Sequence, residues 1–491
     1  MIDSQPALDA APASFRDPSG RLFRIGGRLI RIVNSTGAAD LKTFLASRTS
    51  QRFAESRQLA GTDILDPAAI RDLFEYEGLT SLLDADDSMV VEHEQISFQS
   101  FPYEWPPEML HAAGQLTLDL AESLLEEGFG LKDATPYNIL FRGPDPVFVD
   151  LLSFERRNPG DPTWLPNAQF ARTFLMPLLV NKRFGVALDQ LLIGHRDGLE
   201  PEEVYRLVEP SRRLFPPFLS LVSIPVWLNA KHDPDDLSIY KNKVLNNPEK
   251  ARFILSALLK RLRRTLNSLR PKRGLSSAWS DYMTDNNNYA ENQFRAKERF
   301  IEGVMAEFSP QSVLDVGCNT GHFSIIAARK GARVVAIDND PVVIGETWQR
   351  SREESLDILP LVVDVTRPSP GIGWRNRECP GFLDRARGAF DAVFMLAVVH
   401  HMLVGERIPL DEIIDLAGDL TTDILVVEFI APDDSMFRRL ARGRDHLFSD
   451  LTATVFEASC SRKFRIIRSE RLEGGDRWLY LLRKKGATAS A

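Results

Sequence analysis

The sequence predicts an α/β protein: a doubly wound parallel sheet in the C-terminal half, preceded by an α+β N-terminal half. Three observations carry this. After residue 276, short apolar runs ending in acids or glycine turns alternate with helical stretches. Near residues 108–152 an amphipathic helix leads through a polar loop into a hairpin pattern. At 491 residues the chain is too long for one ordinary core, so two bodies and a connector are expected, at 1–228, 229–275 and 276–491.

In the N-terminal half, Glu108 to Glu127 has helical periodicity, with Leu110, Leu116, Leu118, Leu120, Leu124 and Leu125 available for a buried face. Gly130-Leu-Lys-Asp133-Ala-Thr-Pro-Tyr-Asn138-Ile-Leu-Phe141 follows, then Pro146-Val-Phe-Val-Asp150. An acid, an asparagine five positions on, a strand and a second acid at a strand end resemble the catalytic loop of protein and aminoglycoside kinases. That resemblance implies ATP and Mg2+, with Asp133 as base toward an acceptor hydroxyl and Asn138 and Asp150 as metal ligands. Ile96 to Trp105 would then be the hinge between lobes. The pattern departs at Leu131-Lys132, where His-Arg is usual, and at Leu151-Leu152, where Phe-Gly is usual. No glycine-rich phosphate loop stands upstream, and Arg28 or Arg31 would have to replace the strand lysine. The same residues also suit plain capping and turning between a helix and a hairpin.

The connector is dominated by Ala251 to Arg270, with leucines 255, 258, 259, 262, 266 and 269 on one face and basic residues on the other. Such a helix, continued to Gly274, can lie on an anionic membrane surface or pack its leucines on a neighbouring body.

In the C-terminal half, Val313-Leu-Asp315-Val-Gly317-Cys-Asn319-Thr-Gly321 reads as a buried strand running into a tight turn, and Phe323 to Arg329 as the helix after it. Ala332 to Ile337 is a second strand ending in Asp338, placed for ribose hydroxyls. Leu359 to Val365 is a third, ending at Asp364 and Val365. Phe390 to Val399, through Leu396 into His400 and His401, is a fourth; Asp423 to Ile430 is a fifth; Phe464 to Arg468 and Arg477 to Arg483 close the sheet. This order resembles class I S-adenosylmethionine-dependent methyltransferases. The resemblance implies S-adenosyl-L-methionine as cofactor, held by Asp315, Gly317, Asn319, Gly321, Asp338, Asp364, Val365 and Leu396. A dinucleotide site would want glycines at 317, 319 and 322, where this chain has Gly317, Asn319 and His322. Trp279, Tyr282, Asn286 to Tyr289 and Lys297 would belong to an aromatic helix covering the cofactor.

Taken whole, the chain resembles the bacterial nodulation-protein-like methyltransferases. Leu131 to Asn138 with Val149 to Glu155, Arg367 to Trp374 with Glu378, and Leu396 to Met402 carry that resemblance. It implies a glycan-related or small polar acceptor. The fourth strand lacks the Asn/Asp-Pro-Pro-aromatic turn of amino-methylating enzymes acting on bases, and has no cysteine there for attack on a cytosine carbon. O-methylation is therefore expected, with His401 or His400 as base and Glu428 as a further candidate. Trp374 offers a flat platform for a sugar ring, and Arg375, Arg377 and Glu378 offer charge to an acceptor. Two alternatives stay open: a bifunctional enzyme that phosphorylates and then methylates, and a methyltransferase with a non-catalytic docking domain.

The net charge of −8 gives no general attraction to nucleic acid, so none is expected as partner. Cys318, Cys379 and Cys460 are too scattered for a metal set and suit a reducing compartment. With no signal-peptide pattern at residues 1–10 and no membrane-spanning apolar run, a cytoplasmic protein is expected.

Overall fold

The computed structural model describes residues 9–10, 16–76, 87–230, 244–274, 277 and 291–487. Trp279, Tyr282 and the segment 286–289, expected to cover a cofactor, lie outside the described residues. The chain opens on an antiparallel sheet ordered β1-β2-β3-β5-β4, from Asp9–Ala10, Gly20–Ile25, Arg28–Asn34, Thr62–Ile64 (β4) and Asp87–His93 (β5). Gly26 and Gly27, both at positive φ, make the two-residue turn that pairs Ile25 with Arg28. Asn34 ends β3 and caps α1 (Ser35–Leu45), accepting from the N–H groups of Thr36 and Gly37. Helices α2 (Arg48–Glu55) and α3 (Pro67–Tyr76) complete this layer.

Helix α4 (Pro107–Glu126) forms where the leucine pattern predicted it and buries Leu110, Leu116, Leu118, Leu120 and Leu124. Around it stand the pair β6 (Phe129–Leu131) and β9 (Phe154–Arg156) and the hairpin β7 (Ile139–Arg142) with β8 (Asp145–Phe148). Five short helices follow: α5 (Asn167–Phe170), α6 (Met176–Phe184), α7 (Leu188–Leu192), α8 (Pro201–Leu207) and α9 (Ile224–Asn229). Helix α10 (Pro248–Ser268) buries Leu255, Leu259, Leu262 and Leu266. It lies along α4, with Arg263 bridging Asp119 and Glu122. Each leucine so buried contributes about 1.5–3 kcal/mol. The face that sequence offered to a membrane is thus packed on a neighbour.

The C-terminal sheet has seven strands ordered β12-β11-β10-β13-β14-β16-β15. Strands β10 (Ser312–Val316), β11 (Arg333–Asp338), β12 (Ile358–Val362), β13 (Phe390–Met395) and β14 (Thr421–Ile430) are parallel, and β16 (Arg477–Lys484) pairs antiparallel with both β14 and β15 (Phe464–Arg471). The doubly wound sheet predicted from the strand-helix alternation is this one. Helices α11 (Glu291–Phe308), α12 (His322–Arg329), α13 (Pro341–Glu353), α14 (Phe382–Ala386), α15 (Leu410–Leu420), α16 (Ser435–Ala441) and α17 (Ala453–Lys463) accompany it. Two strands stop earlier than expected. Asp364 turns the chain after β12 by accepting from the Thr366 N–H and hydroxyl. After β13, Ala397 at φ 53 ends the extended run.

One hydrophobic core runs through both halves. At their junction the Arg385 guanidinium pairs with the buried Glu104 carboxylate and lies within 4.9–5.6 Å of the ring centroids of Phe98, Phe101 and Phe382. Trp348 on α13 donates to the Pro144 carbonyl at 2.9 Å. The three thiols are buried and unbridged. Among the described residues no helix is long and apolar enough to cross a membrane, and no three His, Cys, Asp or Glu side chains gather as a metal would need.

Candidate functional site

The turn after β10 is built by backbone conformation. Gly317 at φ 71, Asn319 at φ 50 and Gly321 at φ 75 bend the chain into α12. The N–H groups of Gly317 and Cys318 both reach the Ile337 carbonyl, at 2.8 and 3.0 Å, and tie the turn to β11. Thr347 on α13 braces it by donating to the Asn319 carbonyl at 3.1 Å. A Cβ on Gly321 would stand 2.6 Å from the Thr347 methyl. Gly321→Ala should therefore lose stability by more than the about 1–2 kcal/mol of a left-handed alanine. Gly331→Ala, left-handed but with open space around it, should lose only that conformational part. Urea unfolding of the two variants checks the order.

Asp338 ends β11 half-buried, and its carboxylate accepts from the N–H groups of Asn319 at 3.0 Å and Asp340 at 3.1 Å. Burial pushes it up to about 6, against the pull of those donors. A carboxylate offers about four lone-pair positions, so ribose hydroxyls can still be received there. Asp315 sits behind the turn: it is buried, accepts from the Ser324 hydroxyl at 2.6 Å, and is pushed up to about 6 by burial. Leu396 and Val365 are buried and Asp364 is half-buried at the same sheet edge. The Asn319 side chain stands where a pyrophosphate needs bare backbone. These residues fit S-adenosylmethionine.

Ala397 swings the chain so that His400 and His401 open a helical turn with ring centroids 4.2 Å apart. His400 is buried with its Nδ1 unpartnered. Burial holds it well below the ordinary histidine value, helped by His401, Arg477 and Lys297. His401 is the more accessible ring and is also lowered by burial. Both are therefore neutral near pH 7, and His400 resists protonation the more strongly.

Sequence reasoning missed how the far wall is closed. Lys297 on α11 donates to Glu428 at 2.8 Å, both sealed from solvent, with the ammonium 5.2 Å from the Phe323 ring centroid. Glu428, considered as a base, is thus committed to an ion pair. Arg477 on β16 pairs with Asp434 at 2.8 Å beside them. Glu298 of α11 meets the His322 ring at 2.8 Å. None of these partners is close in sequence, so no local pattern signals them.

In the N-terminal half, Asn138 and Asp150 flank the β7–β8 hairpin, where the Val149 N–H bonds the Asn138 carbonyl at 2.9 Å. The amide nitrogen of Asn138 is buried without a partner. Asp150 lies 3.7 Å from the Arg31 guanidinium of β3, and burial raises its carboxyl, with Asp133 adding a like charge. Asp133 itself is exposed and accepts from the Gln169 amide at 3.3 Å. Arg28 is taken by Glu92, so of the two arginines considered it is Arg31 that reaches Asp150.

The segment after β12 forms a small hairpin closed by the bridge between Ile372 and Cys379. Trp374 is 65% exposed at its tip, and Arg375 and Arg377 are exposed as well. Glu378 is buried instead, held by Arg16 at 2.6 Å and by Arg196. It secures the hairpin and offers no open carboxylate to an acceptor.

A family model for the methyltransferase domain matches residues 289–472. Nodulation protein NoeA of Rhizobium meliloti (strain 1021) is 29% identical over 482 residues, spanning 98% of this chain and 97% of that protein. N-methyltransferase NodS from Bradyrhizobium japonicum WM9, in complex with S-adenosyl-l-homocysteine, is 17% identical with a TM-score of 0.31, over 43% of this chain and 95% of that one. The bifunctional kinase-methyltransferase WbdD is 19% identical with a TM-score of 0.28, over 42% of each chain.

Proposed function

We propose that this chain, a class I S-adenosylmethionine-dependent methyltransferase of the nodulation-protein type, methylates an oxygen of a glycan-related or small polar acceptor. The observation that carries this reading is the neutral histidine pair at the end of β13, on the sheet edge that also bears Asp338. Ligands bind at that edge in open α/β folds. Asp338 would hold the ribose, with the turn from Gly317 to Gly321 around the methionine end and Asp364, Val365 and Leu396 beside the adenine. Bound there, the cofactor supplies an electrophilic methyl group. His401, the more accessible imidazole, would take the acceptor hydroxyl's proton at its ring nitrogen, and His400 behind it would fix its orientation. Trp374 and Arg375 would receive the acceptor, with Glu378 holding their hairpin in place. Incubation of the purified protein and labelled cofactor with extracts lacking this enzyme tests this: the label should enter a methyl ether or ester only when the protein is added. Label found only on nitrogen or carbon overturns the oxygen assignment.

A second reading gives the N-terminal half phosphoryl transfer ahead of methylation. It is favoured by the unpartnered Asn138 amide lying beside Asp150 and Asp133 beneath a five-stranded sheet that carries Arg31. Asn138 and Asp150 would hold Mg2+ on the nucleotide, and Asp133 would face the acceptor hydroxyl. ATP should then raise the melting temperature only when magnesium is present, because a ligand of the native state stabilises it by mass action. Asp150→Ala should remove the shift. No shift at millimolar nucleotide would leave this half as a docking domain.

A further inference from the structure

The Ile372–Cys379 hairpin belongs by chain to the C-terminal sheet, yet its anchors lie in the N-terminal half. Glu378 accepts from Arg16 Nε at 2.7 Å and pairs with Arg196, so one carboxylate ties the hairpin stem to two segments of the N-terminal half. The Arg196 guanidinium also lies 5.3 Å from the ring centroid of Tyr137, inside the loop between Asp133 and Asn138. Next to Arg16, Asp17 faces Arg31 at 3.7 Å, and Arg31 faces Asp150 at the same distance. Through Arg196 the hairpin stem is one side chain away from Tyr137 of the 133–138 loop, and through Arg16 it joins the run of Asp17 and Arg31 that ends at Asp150.

The tip is built for something other than packing. Trp374 is 65% exposed, and Arg375 and Asn376 are left-handed, at φ 56 and 57. Non-glycine residues in that region are costly and persist where surroundings over-determine them. Here Gly373 and Gly371 permit the close turn: a Cβ on either would come within 2.5 Å of Glu378 or of the Asn376 carbonyl. The result is a tightly turned tip that carries an exposed indole, with Arg375 and Arg377 next to it in the chain.

We propose that this hairpin stands beside the 133–138 loop and Asp150 and binds there a sugar ring bearing an anionic group, stacked on Trp374 and paired with Arg375 and Arg377. The proposal deepens the second reading above and rests on those N-terminal residues forming an acceptor site. Both halves would then handle one acceptor, delivered across a wall they share.

Hydrogen–deuterium exchange on the full chain, with glucose 6-phosphate as probe, tests it. At ten times its dissociation constant the probe should slow exchange by about tenfold in residues 372–379 and also in 133–138. Trp374→Ala, and separately Arg375→Ala with Arg377→Ala, should each weaken probe binding by about tenfold. All three side chains are exposed, so unchanged melting temperatures are expected and confirm intact folding. Protection of the hairpin together with 396–402 but not 133–138 overturns the proposal and assigns the hairpin to methyl transfer alone. Absence of protection in the hairpin also overturns it. The magnesium-dependent ATP shift fails independently: joint protection without that shift refutes phosphoryl transfer and leaves the shared wall standing.

Discussion

His401→Ala is expected to lower turnover by a factor of about 10²–10⁴, the usual range for removing a general base, with cofactor affinity little changed. The geometry also locates the pH dependence. Only neutral imidazole can accept the hydroxyl proton, so activity falls as pH drops through the histidine's own value. Burial lowers that value from the ordinary 6.5. The acid limb should therefore lie below 6.5. His400→Ala should give a smaller loss, because its ring is buried and acts by positioning its neighbour. Steady-state rates from pH 5 to 8 for the parent and both variants decide this. If both variants keep near-parental turnover, the pair only closes the cofactor pocket. Glu428 is a poor replacement base, since it is sealed against Lys297.

Asp338→Ala should weaken S-adenosylmethionine binding at least tenfold. Each charge-assisted bond to a ribose hydroxyl is worth about 1.5–3 kcal/mol. The same carboxylate also receives the Asn319 and Asp340 N–H groups, so the alanine variant loosens the turn as well. Asp338→Asn keeps one of the two oxygens, and so one of the two turn bonds, and should bind better than the alanine form. Because Asp338 is pushed up to about 6, its ionised form is lost as pH falls through that value. Cofactor affinity in the parent should fall with it, and this slope should be absent in both variants. Calorimetry between pH 5 and 8 measures this. Unchanged affinity in a folded Asp338→Ala protein would remove the residue from the site.

The acid-ended apolar runs at 313–316 and 333–338, with glycines between them, were enough to specify the parallel strands and the left-handed turn. Those are local consequences of residue type: β-branched side chains fill a buried strand, and glycine adopts positive φ at little cost. The leucine spacing of α4 and α10 likewise determined two long helices and their buried faces. It did not determine what the α10 face would meet. Packing on α4, with Arg263 between Asp119 and Glu122, settled that through residues more than 140 positions apart. Separations of more than 130 positions likewise hid Lys297–Glu428 and the clasp of Arg16 and Arg196 on Glu378. Glu378 was legible as a charged residue beside an exposed tryptophan and so looked available to a ligand. Only tertiary structure showed that its partners come from the other half of the chain. A charge does not encode its partner locally; the partner is chosen when the cores bring distant segments within hydrogen-bond reach.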